Sequence, residues 1–167
     1  MKDKKLPIKK IMKVKVIADV DIDPDLSWIG TWSNLPKNNF SIEHEPDNPR
    51  SYNYFNSTNA DNIEQAERDH KRMIGYNDGD WCCIGIRVEA EIGISWDDGH
   101  NWLMQDLGTG GLWGCESDAE KYHFDEVKNE QLRELRDVLL AFNFTVSEIS
   151  KAFKDVEVTG DAKNYIS

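Results

Sequence analysis

Two stretches of the chain alternate between apolar and polar residues in the way that half-buried β-strands do. From Met12 to Asp23 the even-numbered residues are apolar and the odd-numbered ones polar, with Ile17 as the exception. From Trp81 to Trp96 the even-numbered residues again form an apolar side. Because successive side chains of a strand point to opposite faces of a sheet, each stretch predicts a strand with one wet face.

The connections around these strands carry turn signals. The segment WDDGHN, which starts at Trp96, contains an Asp-Gly pair and predicts a hairpin into a strand from Asn101 to Leu107. After Pro24 the chain is rich in Asn, Ser and Pro, which predicts irregular structure with short strands near residues 40–42 and 52–55.

Three helices are predicted from periodicity and capping signals. The first runs from Asp61, which can cap it, to Ile74, and Gly75 ends it. The second begins at Ser117 or Asp118 and continues to about Phe142. The sequence TVSE at residues 145–148 is a capping box and opens the third helix.

Together these elements predict an α+β fold, in which an antiparallel sheet carries about three helices on one face. Alternating strands favour an antiparallel sheet because the strands of a parallel sheet are apolar on both faces. The length of 167 residues fits a single domain over residues 1–167. Residues 1–10 are expected to form a basic tail, and residues 158–167 are expected to fray.

The glycine-rich segment GTGGLWGCES, residues 108–117, stands between the hairpin and the second helix. It matches neither the P-loop nor the dinucleotide fingerprint, since Trp113 stands where a glycine is needed and no lysine follows. Glu116, Asp118 and Glu120 also crowd the helix end where a phosphate would bind. The segment is therefore expected to be a tight turn with Trp113 and Cys115 beneath it, and no cofactor is predicted.

Catalytic and metal-binding signals are weak. Adjacent cysteines, Cys82 and Cys83, point to opposite faces of a strand, and the aspartates from position 19 onward lack the glycine and glutamate of a calcium loop, so no metal site is predicted. A nucleophilic or ligand-binding site centred on Cys115, with His100 or His123 as its partner, remains an alternative.

Charge is distributed unevenly along the chain. Residues 1–15 contain seven lysines and one aspartate, and the remaining residues contain 13 basic and 30 acidic side chains, a balance of −17. A segment with this negative charge repels nucleic acids and anionic membranes, and it is attracted to basic surfaces on other proteins. We therefore expect a protein partner, and neither nucleic acid nor membrane; the oligomeric state is not predicted.

Two rows of carboxylates and two tryptophans are the candidate protein-binding residues. The first row follows one face of a predicted strand, and the second follows one side of the long helix at the spacing i, i+4, i+8, i+11. Both spacings are similar to the distance between successive phosphates of a nucleic-acid strand, so the rows could act as a decoy; the alternative is a solvated surface. Trp96 and Trp102 flank the hairpin tip as possible anchors. The rows consist of Asp19, Asp21, Asp23 and of Glu126, Glu130, Glu134, Asp137.

The block GGLWGCES, followed by a long acidic helix, resembles a family of small, mostly unannotated proteins encoded by phages and integrated elements. The resemblance covers roughly residues 80–153 and implies a non-enzymatic inhibitor of a host protein, such as an anti-CRISPR protein that acts on a nucleic-acid-binding defence complex. A phage structural or assembly role is a further alternative. Without a signal peptide or a disulfide pattern, the expected compartment is the host cytoplasm.

Overall fold

A computed structural model describes residues 6–44 and 52–167 of the chain. In chain order the strands are β1 (Ile8–Val20), β2 (Gly30–Ser33), β3 (Ile42–Glu43), β4 (Tyr54–Ser57), β5 (Cys83–Ser95), β6 (Leu103–Gly108), β7 (Leu112–Glu116) and β8 (Val156–Thr159). The helices are α1 (Ile63–Asp78), α2 (Lys121–Ala141) and α3 (Val146–Ala152), with a short 3-10 helix at Lys163–Tyr165. The contacts divide the chain into two units, one formed by the residues up to Asp21 and from Cys83 onward, the other by Ile22–Cys82.

The first unit contains a sheet with the order β6-β5-β1-β8, and β7 also pairs with β5. All pairs are antiparallel except β1 and β8, which run parallel. This mostly antiparallel sheet, together with the three helices of the chain, confirms the α+β class. The two alternating stretches of the sequence form its two longest strands, β1 and β5.

Alternation gives this sheet two different faces. On one face, which we call the helix face, the even-numbered residues of β5 from Ile84 to Ala90 are fully buried, as are their β1 neighbours Val14, Val16 and Ala18. Helix α2 packs against β5 and α3 against β1, and both helices bury apolar side chains there. The opposite face, which we call the polar face, carries the charged odd-numbered residues of β5: Arg87, Glu89 and Glu91.

Both ends of the first unit are more ordered than the sequence predicts. Strand β1 begins at Ile8, so residues 8–10 of the expected basic tail belong to the sheet, and residues 1–5 lie outside the described part of the chain. The expected fraying of residues 158–167 is wrong. The backbone N–H of Ala162 donates to the carbonyl of Ala18, and Ala162 and Ile166 are buried. Contacts with β1, distant in sequence, hold this segment in place.

The glycine-rich segment is a strand interruption rather than a simple turn. Strands β6 and β7 lie one after the other along the same edge of β5, and residues 109–111 bulge between them. Gly111 has a φ of 78°, and a β-carbon there would lie 2.9 Å from the β-carbon of Arg87. Helix α2 begins at Lys121, later than predicted, because residues 117–119 form a turn after β7.

The second unit contains its own sheet, with the order β2-β4-β3, and α1 packs on it. The prediction that all three helices cover one sheet is therefore wrong for α1. The side chain of Asn62, not Asp61, caps this helix by accepting a hydrogen bond from the backbone N–H of Gln65 at 2.9 Å. The helix continues through Gly75 and ends at Gly79, whose φ is 81°.

Candidate functional site

The acidic row on α2 forms a continuous exposed surface. Its four members are on the side of α2 away from the sheet, while the other side buries Phe124, Val127, Leu135 and Leu139. All four carboxylates are exposed, and they cover about 16 Å of the helix at 1.5 Å per residue. We call this surface the acidic stripe; it consists of Glu126, Glu130, Glu134 and Asp137.

The acidic stripe forms no ion pair within the described part of the chain, although Arg133 lies on the same side of α2, three residues after Glu130. None of its carboxylates accepts a hydrogen bond or joins an ion pair with a described residue. The nearby Lys128 is engaged elsewhere, because its Nζ lies 2.6 Å from Asp125 Oδ1. That hydrogen bond, together with the charge of Lys128, lowers the pKa of Asp125. The stripe therefore presents its negative charge to solvent.

The row of aspartates near β1 does not form as predicted. Strand β1 ends at Val20. The backbone N–H of Asp21 still donates to the carbonyl of Cys83 at 2.8 Å, but Asp23 lies beyond the strand. Asp19 lies on the polar face, where its Oδ2 is 3.3 Å from Nη2 of Arg87. The other guanidinium nitrogen of Arg87 is 2.6 Å from Glu89. Asp19 is therefore partly neutralised, and it lies on the face of the sheet opposite α2.

The two predicted tryptophans do flank the tip of the β5–β6 hairpin. Trp96 is 65% exposed, whereas Trp102 is half-buried against Gly93. The turn between them is held by Asp97, which accepts hydrogen bonds from the backbone and side chain of Asn101 and from Ser95. These hydrogen bonds, led by the one from the Asn101 backbone, lower the pKa of Asp97 to about 2. Trp96 is thus displayed on a well-ordered turn.

The C-terminal end of α2 and the hairpin tip lie at the same end of the first unit. Lys9 of β1 lies opposite Ile94, one residue before β5 ends, and its Nζ donates to the carbonyl of Phe142 at the end of α2. The last turn of α2 therefore lies at the same end of the sheet as Trp96. Asp137, the last member of the stripe, is five positions before Phe142, which places it just over one helical turn from this end.

Trp113 is a surface residue that the sequence reading missed. It was expected beneath the glycine-rich segment, but it is 48% exposed on the polar face. Its ring covers Gly85 of β5, and its Nε1 donates to the carbonyl of Gly110 at 3.2 Å. Gly85 itself was the available signal, because a glycine inside a strand often marks a close approach by another group.

Cys115 forms no hydrogen bond with His100 or His123 in the described part of the chain. Cys115 is buried and pairs with Ile84 near the start of β5, and burial raises the pKa of its thiol. His100 lies in the turn after the other end of β5, and the 11 steps from Ile84 to Ser95 span about 36 Å. The Cys115 thiol instead donates to the carbonyl of Leu112 at 4.0 Å. A reactive cysteine needs a lowered pKa and a nearby base, and Cys115 has the opposite pKa shift.

No group of three or more His, Cys, Asp or Glu side chains within residues 6–44 and 52–167 is placed to hold a metal ion. Within the same ranges, no helix has the length and apolar character needed to cross a membrane.

Comparison with known proteins found no matching family model, no matching curated protein and no matching solved structure. The resemblance of the GGLWGCES block to phage-encoded proteins therefore stays a prediction. The acidic stripe and the exposed Trp96 are the features that carry a functional proposal.

Proposed function

We propose that this chain is a non-enzymatic binding protein whose partner presents a basic, nucleic-acid-binding surface. The acidic stripe occupies that surface in place of a phosphate backbone. The observation that carries this proposal is the series of four exposed carboxylates on one helix, none of them paired within the described residues. Successive members are about 6 Å apart, a spacing that suits cations arranged to hold a nucleic-acid strand.

The cost of this arrangement supports a binding role. Like charges at i and i+4 destabilise a helix by a few tenths of a kcal/mol per pair. The chain nevertheless keeps Glu126, Glu130 and Glu134 in succession without a described ion pair. A field of this kind attracts a basic surface from solution and accelerates association at low ionic strength.

Trp96 supplies an apolar contact at the end of the first unit where α2 ends. Charged contacts at the rim of an interface give rate and specificity, whereas aromatic anchors at its centre supply much of the affinity. Trp96 is 65% exposed on an ordered turn, so little conformational entropy is lost when a partner covers it.

The predicted resemblance to phage and prophage proteins suggests the class of partner. A mobile element gains from a small protein that blocks a host defence complex, and such complexes hold nucleic acid in basic channels. We therefore place the proposed partner among nucleic-acid-binding defence complexes of the host cytoplasm, with an anti-CRISPR-like inhibition as the mode of action.

The test is competition with labelled DNA for a panel of purified defence effectors, measured by fluorescence anisotropy. The wild-type chain should displace DNA from a susceptible effector, and E126K/E130K/E134K should lose this ability. The control E67K/D78K/D106K makes the same change in net charge at exposed acids outside the stripe, and it should still compete. Circular dichroism verifies the fold of both variants.

Two results would contradict the proposal. If the stripe variant competes as well as the wild type, the decoy role is wrong. If the stripe variant and the control lose competition equally, the effect arises from total charge and not from the arrangement of carboxylates on α2. A further variant, W96A, should bind at least tenfold more weakly if Trp96 is an anchor.

A further inference from the structure

The outer edge of β1 is covered along only part of its length. Strand β5 pairs with one edge of β1 from Ile8 onward, whereas β8 pairs with the other edge only from Val14 to Ile17. No described strand covers that outer edge from Ile8 to Lys13. These six residues span about 20 Å and leave alternate backbone N–H and C=O groups without a strand partner in the described part of the chain.

A groove of about 650 Å³ runs beside this open edge. Residues 10–14 of β1 form one wall, and α3 with the start of β8 forms the other. Its apolar lining residues are Ile11, Met12, Val14 and Ala152, of which Val14 is fully buried. An extended chain placed against the edge of β1 would therefore bury apolar side chains on its α3 side while its backbone pairs with β1.

Three of the six charged side chains that line the groove are already engaged. Glu148 accepts hydrogen bonds from the backbone and the hydroxyl of Thr145, and Glu157 forms an ion pair with Lys13. The side chain of Asp155 also lines the groove without a hydrogen bond or ion pair among the described residues, and its charge offsets that of one lining lysine. Lys10 and Lys151 remain as lining cations without a hydrogen bond or ion pair among the described residues.

We propose that this open edge binds an extended acidic peptide as an additional strand of the sheet. In such a strand, alternate apolar side chains face Ile11 and Ala152 on the helix face. Alternate carboxylates lie on the polar face, where Lys10 lies opposite Gly93, and Lys151 of α3 adds a further positive charge to the groove. Charge complementarity selects this partner over a second copy of the chain, because two β1 edges would bring Lys9, Lys10 and Lys13 against the same lysines. The site is separate from the acidic stripe and does not depend on the proposed decoy role.

The test uses a fluorescein-labelled peptide of alternating glutamate and valine, eight residues long, and the full chain. Fluorescence anisotropy should show saturable binding. The same peptide N-methylated at alternate residues, which cannot complete the strand pairing, should not bind, and neither should its lysine–valine counterpart. Hydrogen exchange should show slower exchange of amides within residues 8–13 when the glutamate–valine peptide is bound.

Protein variants locate the binding site. K10E/K151E should raise the dissociation constant about tenfold, since it replaces two attractive charges by two repulsive ones. The matched control R68E/K71E reverses two exposed cations on α1 and should leave the dissociation constant unchanged. The proposal is wrong if the glutamate–valine peptide does not bind at millimolar concentration, or if the N-methylated peptide binds equally well. It is also wrong if K10E/K151E and R68E/K71E behave alike, or if light scattering shows a dimer whose 8–13 amides are protected without peptide.

Discussion

The indole ring of Trp113 lies against Gly85 so closely that a β-carbon at position 85 would overlap the ring. The hydrogen bond from Trp113 Nε1 to Gly110 fixes the edge of the same ring. One face of the indole is therefore packed on the central strand, and its exposed part is held in a defined orientation. The bulge at residues 109–111 and the strand β7 together bring Trp113 to this position.

We predict that G85A destabilises the protein because the methyl group displaces the Trp113 ring. Overpacking of this kind costs about 1–3 kcal/mol. The free energy of unfolding, measured by urea titration, should fall by that amount. The control G110A places its methyl group in open space, with no heavy atom within 4 Å, and should change stability little. Equal stability of G85A and the wild type would contradict the packing of Trp113 on Gly85.

The elements that the sequence predicts well are those whose signals are local. The alternation of β5, the Asp-Gly turn after Trp96 and the capping box at Thr145 all depend on residues close together in the chain. In the structure Thr145 Oγ1 accepts from the backbone of Glu148, and the Glu148 carboxylate accepts from the Thr145 N–H. Such signals survive because tertiary contacts reinforce them.

The elements that the sequence missed depend on distant partners. Strand β8 has only four residues, and it forms because β1, more than 130 positions earlier, offers an edge. Strand β7 likewise pairs with the start of β5 across the bulge. For the candidate site, the exposure of the acidic stripe could be predicted from helical periodicity. The pairing of Asp19 with Arg87 and the exposure of Trp113 could not, because both require the strand register.

A buried polar bridge links the bulge to α2. The hydroxyl of Thr109 accepts from the backbone N–H of Val88 at 3.1 Å and donates to Oε1 of Gln131 at 2.6 Å. Gln131 is 4% exposed, so it depends on this bridge within the core. The bridge fixes α2, and therefore the acidic stripe, against the sheet.

We predict that T109V reduces the free energy of unfolding by about 1–3 kcal/mol, because it leaves the Val88 N–H and the Gln131 side chain without their partner. T109S keeps the hydroxyl and should retain most of the stability. The double variant T109V/Q131L removes both side-chain polar groups and should recover part of the loss. Additive losses in a double-mutant cycle would contradict the bridge.

The acidic stripe should itself reduce stability. Glu130 lies between Glu126 and Glu134, one turn away in each direction. We predict that E130Q raises the free energy of unfolding by about 0.2–0.5 kcal/mol per relieved pair at low ionic strength. In about 1 M salt this gain in stability should disappear, because dissolved ions screen the repulsion between neighbouring carboxylates of the stripe. The same substitution should weaken competition with DNA, so stability and binding change in opposite directions.

Burial of Cys115 predicts low thiol reactivity. Because burial raises the pKa of its thiol, the thiolate fraction at pH 7 is smaller than that of a free cysteine. We expect iodoacetamide to label Cys115 at least tenfold more slowly than a model thiol, as measured by peptide mass spectrometry. Unfolding in urea should restore the normal rate. Rapid labelling of the folded chain at neutral pH would instead support the alternative site centred on Cys115.

The second unit contains a cluster of rings with a titratable centre. The ring of His70 lies 5.3 Å from Phe55, 5.6 Å from Trp32 and 5.5 Å from His44, measured between centroids. Its Nε2 is buried without a hydrogen-bond partner among the described residues. Burial, followed by the charge of His44, lowers the pKa of His70 from its ordinary value of 6.5. The neutral form of His70 is thus the one that fits the cluster.

We predict that the second unit loses stability in mild acid. Since the pKa of His70 is lower in the folded state, the unfolded chain binds more protons between that pKa and 6.5, so stability falls as the pH decreases through this window. Thermal unfolding between pH 8 and pH 5, followed by circular dichroism, should show a melting temperature that declines below about pH 6.5. H70F replaces the imidazole by a phenyl ring that cannot take a proton. The part of the decline in melting temperature that comes from His70 should therefore be absent in this variant. The control H100Q, at an exposed position of the hairpin turn, should keep the decline of the wild type. If H70F and the wild type share one pH profile, protonation of His70 does not couple to folding.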